Sequence, residues 1–407
     1  MSALIVRGGA ALSGEITVGG SKNAALPIIF ATLITNGASH IFGVPDILDV
    51  AVAIGIIEEL GAVVQRQGNE LFVDTTNLTY CMPSEASVSK IRASSYLLGA
   101  LSSRFGRARV MSFGGCNFEN RPIDMHLSAL TKLGATVSGS DVYAPKLVGA
   151  DIRFDKVSVG ATVNAILMSA TANGTTRIYG YAKEPHVIAL ADYLISCGAS
   201  ISFSPDCITI VGSELRGGTA RIIPDMIEAG TYLLISAMTG TGLSVRGMDL
   251  CDLDAILPDV CASGIGFYEK NGAISPFGDI RSPFDIVTGP HPEFPTDMQP
   301  QCAPLMSAVG GSIKDNVWCG RFGYLEELAK FGLRYTRVKN SALIFPSKLS
   351  AAQVFATDLR GGAASLIAAL SCRGESVIKN AEIIDRGYEN IVNKLCSVGA
   401  NIQRKEI

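Results

Sequence analysis

The stretch Val50-Ala51-Val52-Ala53-Ile54-Gly55-Ile56-Ile57-Glu58-Glu59-Leu60-Gly61-Ala62-Val63-Val64 decides the fold. It reads as an apolar helix up to Leu60, with Gly61 where a left-handed C-cap belongs. Ala62-Val63-Val64 then opens a strand. The same phrase returns at 124–134, 186–198, 252–264, 324–332 and 388–399. Its closing glycines are Gly61, Gly134, Gly198, Gly264, Gly332 and Gly399, at spacings of 73, 64, 66, 68 and 67 residues. That period exceeds those of ordinary solenoids. Ahead of each phrase stand a helix rich in Ala, Leu and Ser and a short strand. The expectation is an α/β chain with six repeats of a βαβα-type unit, three in each of two globular lobes.

Composition narrows the function. The 407 residues are 48% hydrophobic and only 17% charged, with a formal net charge of −3. Such a chain has a large core and two to three domains on length alone. It lacks the basic excess of a general nucleic-acid surface, so no nucleic-acid partner is expected. An anionic substrate would need a local cationic cleft. No window of about 18 uninterrupted apolar residues occurs, so no membrane partner is expected. The cysteines, at 81, 116, 197, 207, 251, 261, 302, 319, 372 and 396, form no Cys-x-x-Cys pair, and the four histidines are scattered. A metal site is therefore not expected. Free cysteines without a signal-like start point to a reducing, cytoplasmic setting.

Two features carry chemistry. Cys116 lies in the polar run Gly114-Gly115-Cys116-Asn117-Phe118-Glu119-Asn120-Arg121, after the strand-like Ala108-Arg109-Val110-Met111. A thiol in a glycine-bearing loop near a guanidinium can act as acid or nucleophile. The bland alternative, a buried small hydrophobe, suits most of the other cysteines. The second feature is the starts of the first helices: Ser21-Lys22-Asn23, Pro224-Asp225-Met226, Thr296-Asp297-Met298 and Thr357-Asp358-Leu359-Arg360. Acids there are ordinary caps. Lys22 opposes the helix dipole and makes more sense if an anion binds beside it.

Longer motifs carry a resemblance. They are Gly19-Gly20-Ser21-Lys22-Asn23-Ala24-Ala25-Leu26-Pro27, Ile91-Arg92-Ala93-Ser94, Gly114-Gly115-Cys116 and Arg121-Pro122-Ile123-Asp124-Met125-His126. Lys156-Val157-Ser158-Val159-Gly160-Ala161-Thr162, Phe294-Pro295-Thr296-Asp297-Met298-Gln299, Ala356-Thr357-Asp358-Leu359-Arg360 and Ile384-Asp385-Arg386-Gly387-Tyr388-Glu389 complete them. From about residue 7 to 402 the chain resembles the UDP-N-acetylglucosamine branch of the enolpyruvyl transferase family. The resemblance implies a two-lobed inside-out α/β barrel, with lobe one at 21–223 and lobe two at 1–20 and 224–407. It implies transfer of the enolpyruvyl group of phosphoenolpyruvate to the 3′-hydroxyl of UDP-N-acetylglucosamine, with no cofactor. It further implies the first committed step of peptidoglycan synthesis, and a target of the epoxide fosfomycin.

The resemblance also assigns residues. Cys116 would protonate C3 of phosphoenolpyruvate, and Asp297 would take the proton of the acceptor hydroxyl. Lys22, Arg121 and Arg386 would clamp the carboxylate and phosphate. Asn23, Arg92, Arg121, Pro122, Ile123, Asp124, Met125, Lys156, Val157, Ser158, Val159 and Val317 would surround the nucleotide sugar. Arg360 is as well explained by an ion pair as by substrate, and His126 is better explained as a core or capping residue than as a catalyst. The candidates divide between the lobes, so catalysis would require closure. Two departures from the family, Met226 for Arg and Cys319 for Glu, bear on lobe contacts. Three alternatives stay open: a shikimate-type enolpyruvyl transferase, a nucleoside-specific one, and a non-catalytic nucleotide-sugar binder. Gly114-Gly115-Cys116 and the run Lys156 to Gly160 speak against the first, substrate profiling separates the second, and phosphate release on mixing both substrates separates the third.

Overall fold

A computed structural model describes residues 2–115, 121–240 and 242–406. Cys116 therefore lies outside the described residues.

The six closing glycines all turn left-handed, with φ between 93° at Gly61 and 103° at Gly332. An L side chain there would set Cβ against the following carbonyl. At Gly61 the geometry is a Schellman cap. Its N–H donates to the Glu58 carbonyl at 2.9 Å, and Ala62 N–H donates to Ile57 at 3.1 Å. The helices they close are Leu48–Glu59, Asp124–Lys132, Pro185–Ser196, Leu257–Cys261, Tyr324–Lys330 and Ile391–Ser397. Two are shorter than expected. In 252–264, Pro258 sits in the first turn and has no N–H to continue a helix backwards, so a separate 3₁₀ turn Leu250–Leu253 precedes it. In 388–399, Asn390 takes φ 49°, which breaks the helical path before Ile391.

Among the described residues the strands form six sheets. After most closing glycines comes an antiparallel hairpin such as Val63–Gln67 with Glu70–Asp74. An earlier strand pairs with it, and in five sheets a further strand lies parallel at the edge, as Phe284–Thr288 does beside Gly311–Asp315. Burial alternates along Phe284–Thr288, with Phe284 and Ile286 inward and Asp285 and Val287 outward. One face is thus core and the other solvent. In the last sheet Ser2–Gly8 lies antiparallel between Gly374–Lys379 and Asn401–Glu406, so the start of the chain completes the final repeat.

The chain divides into two compact units. One holds 20–115 and 121–223, and the other holds 2–19 and 224–406. In the first, the helices Lys22–Ala31, Leu97–Phe105 and Val159–Ser169 supply much of the core. In the second, Met226–Thr239, Gln299–Val309 and Leu359–Ser371 do so. Leu359–Ser371 is buried on every side from Leu359 to Leu370, which is why its sequence lacks a polar stripe. Lys22–Ala31, Val159–Ser169, Gln299–Val309 and Leu359–Ser371 begin at or beside candidate site residues, so the core fixes where those residues sit.

Candidate active site

In the unit holding 224–406, three helix starts use the same Asp differently. Asp225 caps Met226–Thr239, accepting from Ile227 N–H at 2.8 Å and Glu228 N–H at 3.2 Å. Asp358 caps Leu359–Ser371 through Arg360 N–H at 3.0 Å and Gly361 N–H at 3.2 Å. Asp297 caps nothing. Its Oδ1 meets Arg321 Nη1 at 2.6 Å and its Oδ2 meets Arg360 Nη2 at 3.0 Å. Burial alone would raise its pKa, but Arg321 and Arg360 outweigh burial and hold it far below the carboxylate range. Asp297 is thus ionised and oriented, with 28% of its side chain exposed.

Arg360 is 2% exposed, and its Nε and Nη1 meet no acceptor among the described residues. Burying guanidinium donors without acceptors is costly, so this side chain suits an anion better than a structural ion pair alone. The loop carrying Val317 is tied down by Asp315. Its Oδ1 accepts from Val317 N–H at 2.9 Å and Trp318 N–H at 2.8 Å, and its Oδ2 accepts from Thr296 at 2.7 Å. Arg386 ends the 3₁₀ turn Ala381–Arg386 and is half-buried.

In the unit holding 20–223, Lys22 begins its helix and pairs through Nζ with Asp49 Oδ2 at 2.7 Å. Asp49 offsets the clash of a cation with a helix N-terminus. Asn23 follows in the same first turn. Arg92 Nη2 donates to the Arg121 carbonyl at 2.6 Å. A Cβ built on Gly115 would lie 3.1 Å from Arg92 Cβ and 3.3 Å from Arg121 Nη1. Both arginines therefore flank the residue that precedes Cys116 in sequence. Pro122, Ile123, Asp124 and Met125 lead into the helix Asp124–Lys132, with Pro122 and Asp124 exposed. Lys156 and Val157 are exposed, and Ser158 caps Val159–Ser169 by accepting from Ala161 N–H at 3.3 Å. This leaves further N–H groups of that helix start for an anion.

His126 is a core residue. Asn164 Nδ2 donates to its Nδ1 at 2.7 Å. Burial, aided by Arg92, pushes its pKa down to about 4, so the ring is neutral near pH 7. Met226 is half-buried and packs on the core, while Cys319 is exposed and its carbonyl accepts from Arg337 at 3.3 Å. Asp49, Asp315 and Asn164 were not singled out from sequence. Asp49 carries the faint signal of an acid in a helix first turn. The other two carry none, because their partners are distant in the chain.

The sequence matches the family described as EPSP synthase (3-phosphoshikimate 1-carboxyvinyltransferase) over residues 6–395. It is 40% identical over 413 residues to the UDP-N-acetylglucosamine 1-carboxyvinyltransferase of Halothermothrix orenii, covering 99% of this chain and 100% of that one. UDP-N-acetylglucosamine 1-carboxyvinyltransferase 2 of Clostridium acetobutylicum is 40% identical over 420 residues, with 100% of both chains covered. Among solved structures, the enolpyruvyl transferase NikO from Streptomyces tendae aligns with a TM-score of 0.88 at 26% identity, over 99% of each chain. EPSP synthase from Acinetobacter baumannii shares the fold, with a TM-score of 0.73 at 16% identity over 100% of each chain.

Proposed function

The chain belongs to the EPSP synthase family of enolpyruvyl transferases, and from that premise we propose that it transfers the enolpyruvyl group of phosphoenolpyruvate to the 3′-hydroxyl of UDP-N-acetylglucosamine, releasing phosphate. This is the first committed step of peptidoglycan synthesis, in the cytoplasm. We read the two units as lobes of an inside-out α/β barrel with three βαβα-type repeats each.

The chemistry follows from the residues. Lys22, Arg121 and Arg386 neutralise the carboxylate and phosphate of phosphoenolpyruvate. Cys116 gives a proton to C3, and the electron pair of the C2–C3 double bond takes it up. C2 becomes electrophilic and is attacked by the 3′-oxygen, whose proton passes to Asp297. The tetrahedral ketal then returns a proton from C3 to the Cys116 thiolate as the C2–O bond to phosphate breaks; phosphate leaves with the bonding pair, and the C2–C3 double bond is restored. An Asp so weakly basic takes its proton late, once the new C–O bond has made the hydroxyl acidic. Asn23, Arg92, the segment 121–125, Lys156, Val157, Ser158, Val159 and Val317 hold the nucleotide sugar, and Arg360 contacts substrate.

The observation that carries the reading is the Asp297 carboxylate clamped between Arg321 and Arg360, with Arg360 Nε and Nη1 meeting no acceptor among the described residues. A second reading, the same chemistry on a different acceptor, is favoured by the likeness to NikO. Phosphate release decides between them. It is expected only with UDP-N-acetylglucosamine and phosphoenolpyruvate together, and without added metal. Equal turnover of shikimate-3-phosphate or of a free nucleoside, or loss of activity on chelation, would count against the proposal.

A further inference from the structure

Gln301 lies one helical turn beyond Asp297 and is fully buried. Its Nε2 donates to the Asp297 backbone carbonyl at 3.0 Å and to Tyr388 Oη at 3.2 Å. A carbonyl only accepts, so the amide nitrogen must face Asp297. The rest of the chain of bonds is then directional. Thr231 spends its one hydroxyl hydrogen on the Ile227 carbonyl at 2.7 Å. Tyr388 must therefore donate to Thr231 Oγ1, 2.9 Å away, and accept from Gln301. The Tyr388 ring in turn lies 5.4 Å from the Arg360 guanidinium, in cation–π range. One amide thus reaches both partners of the ion pair, Asp297 through its peptide and Arg360 through the ring. Gln301 Oε1 meets no donor among the described residues. An apolar side chain of the same volume would avoid that cost, so the amide is explained by what its two N–H groups hold.

We propose that Gln301 is a positioning residue for the transfer reaction, aligning the Asp297 carboxylate and the Arg360 guanidinium through the Asp297 peptide and Tyr388. The proposal rests on the reading of Asp297 as the group that takes the acceptor's proton. Among the described residues the charged groups facing Asp297 are Arg321 and Arg360. Asp358 and Asp225 act on those arginines from the neighbouring helix starts, and Asp315 reaches Thr296 beside it.

The test is steady-state kinetics of the full chain with phosphoenolpyruvate and UDP-N-acetylglucosamine from pH 5 to 9, for the wild type, Gln301→Met and Tyr388→Phe. Met keeps the length and removes the donors. Misalignment loosens Asp297 from its arginines, so its pKa rises. The expected result for Gln301→Met is a fall in kcat of about tenfold or more, KM within about twofold, and an acid limb that enters the measured range, because burial raises a carboxyl its arginines no longer hold down; the wild-type Asp297 limb lies below that range. Tyr388→Phe should move the limb the same way by less. Wild-type kcat and limb in both variants would overturn the proposal, as would a kcat loss with an unmoved limb. If Gln301→Met does not melt cooperatively, Tyr388→Phe decides, since it removes one oxygen atom. A wild type inactive on this substrate pair would overturn the activity itself. An active wild type with unmoved variants would overturn only the positioning.

Discussion

At the scale of single residues, Asp297 and His126 show opposite uses of burial. Both sit among buried side chains, but Asp297 has two guanidiniums within hydrogen-bond reach while His126 has one neutral amide. The acid therefore stays charged and the imidazole does not. His126 titrates near 4 in the fold against about 6.5 in an unfolded chain. The stability it confers is complete above pH 6.5 and is lost as the pH falls towards 4. Its slope is at most about 1.4 kcal/mol per pH unit, one proton's worth. Urea midpoints between pH 7 and pH 4 should fall more steeply for the wild type than for His126→Gln. Equal slopes would mean that the ring already titrates normally. Cys116 poses a different test. Cys251, Cys261, Cys319 and Cys396 are exposed and will also alkylate. Activity should nevertheless fall in step with label on Cys116 alone, read by peptide mass spectrometry, and Cys116→Ala should be inactive. Full turnover in that variant would remove the thiol from the proposed reaction.

Elements are closed by one device used repeatedly, and its sites are not equivalent. Gly134 and Gly332 have φ of 93° and 103°. A Cβ at Gly134 would stand 3.7 Å from the Lys146 carbonyl oxygen, an ordinary contact. At Gly332 it would stand 2.9 Å from the Lys348 carbonyl oxygen, closer than real Cβ atoms come. Gly134→Ala should cost about 1–2 kcal/mol from the left-handed conformation alone. Gly332→Ala should cost more, because a backbone segment must also shift. Denaturant midpoints of the two variants, measured side by side, check the order. The six glycines were legible because a helix stop is written locally. The shortened helices at Leu257–Cys261 and Ile391–Ser397 were misjudged at their starts. Pro258 offered a local signal there, while the left-handed Asn390 did not.

For the molecule as a whole, each unit has its own apolar core. The nucleotide-sugar candidates fall mostly in one of them: Asn23, Arg92, Arg121 to Met125 and Lys156 to Val159 lie within 20–223. A ligand stabilises the part of a protein that binds it, by about 2.7 kcal/mol at a hundred times its dissociation constant. UDP-N-acetylglucosamine alone should therefore slow amide exchange in the core helices Lys22–Ala31 and Val159–Ser169 more than in Gln299–Val309 and Leu359–Ser371. Equal slowing of both sets, or none in the first, would move the nucleotide-sugar residues away from the proposed assignment.

The sequence by itself determined the helix stops at the six glycines and the family, because each depends on residues a few places apart or on long contiguous motifs. Only the tertiary structure decided which of three similar aspartates is a cap and which is clamped. Asp297 differs from Asp225 and Asp358 in meeting Arg321, 24 residues away, and Arg360, 63 residues away. It likewise decided that Lys22 meets Asp49, that Asn164 holds His126, and that Ser2–Gly8 joins the final sheet. A side chain's charge and proton affinity depend on which groups stand within a few ångströms of it. Spacing along the chain does not specify those neighbours until the core helices have packed.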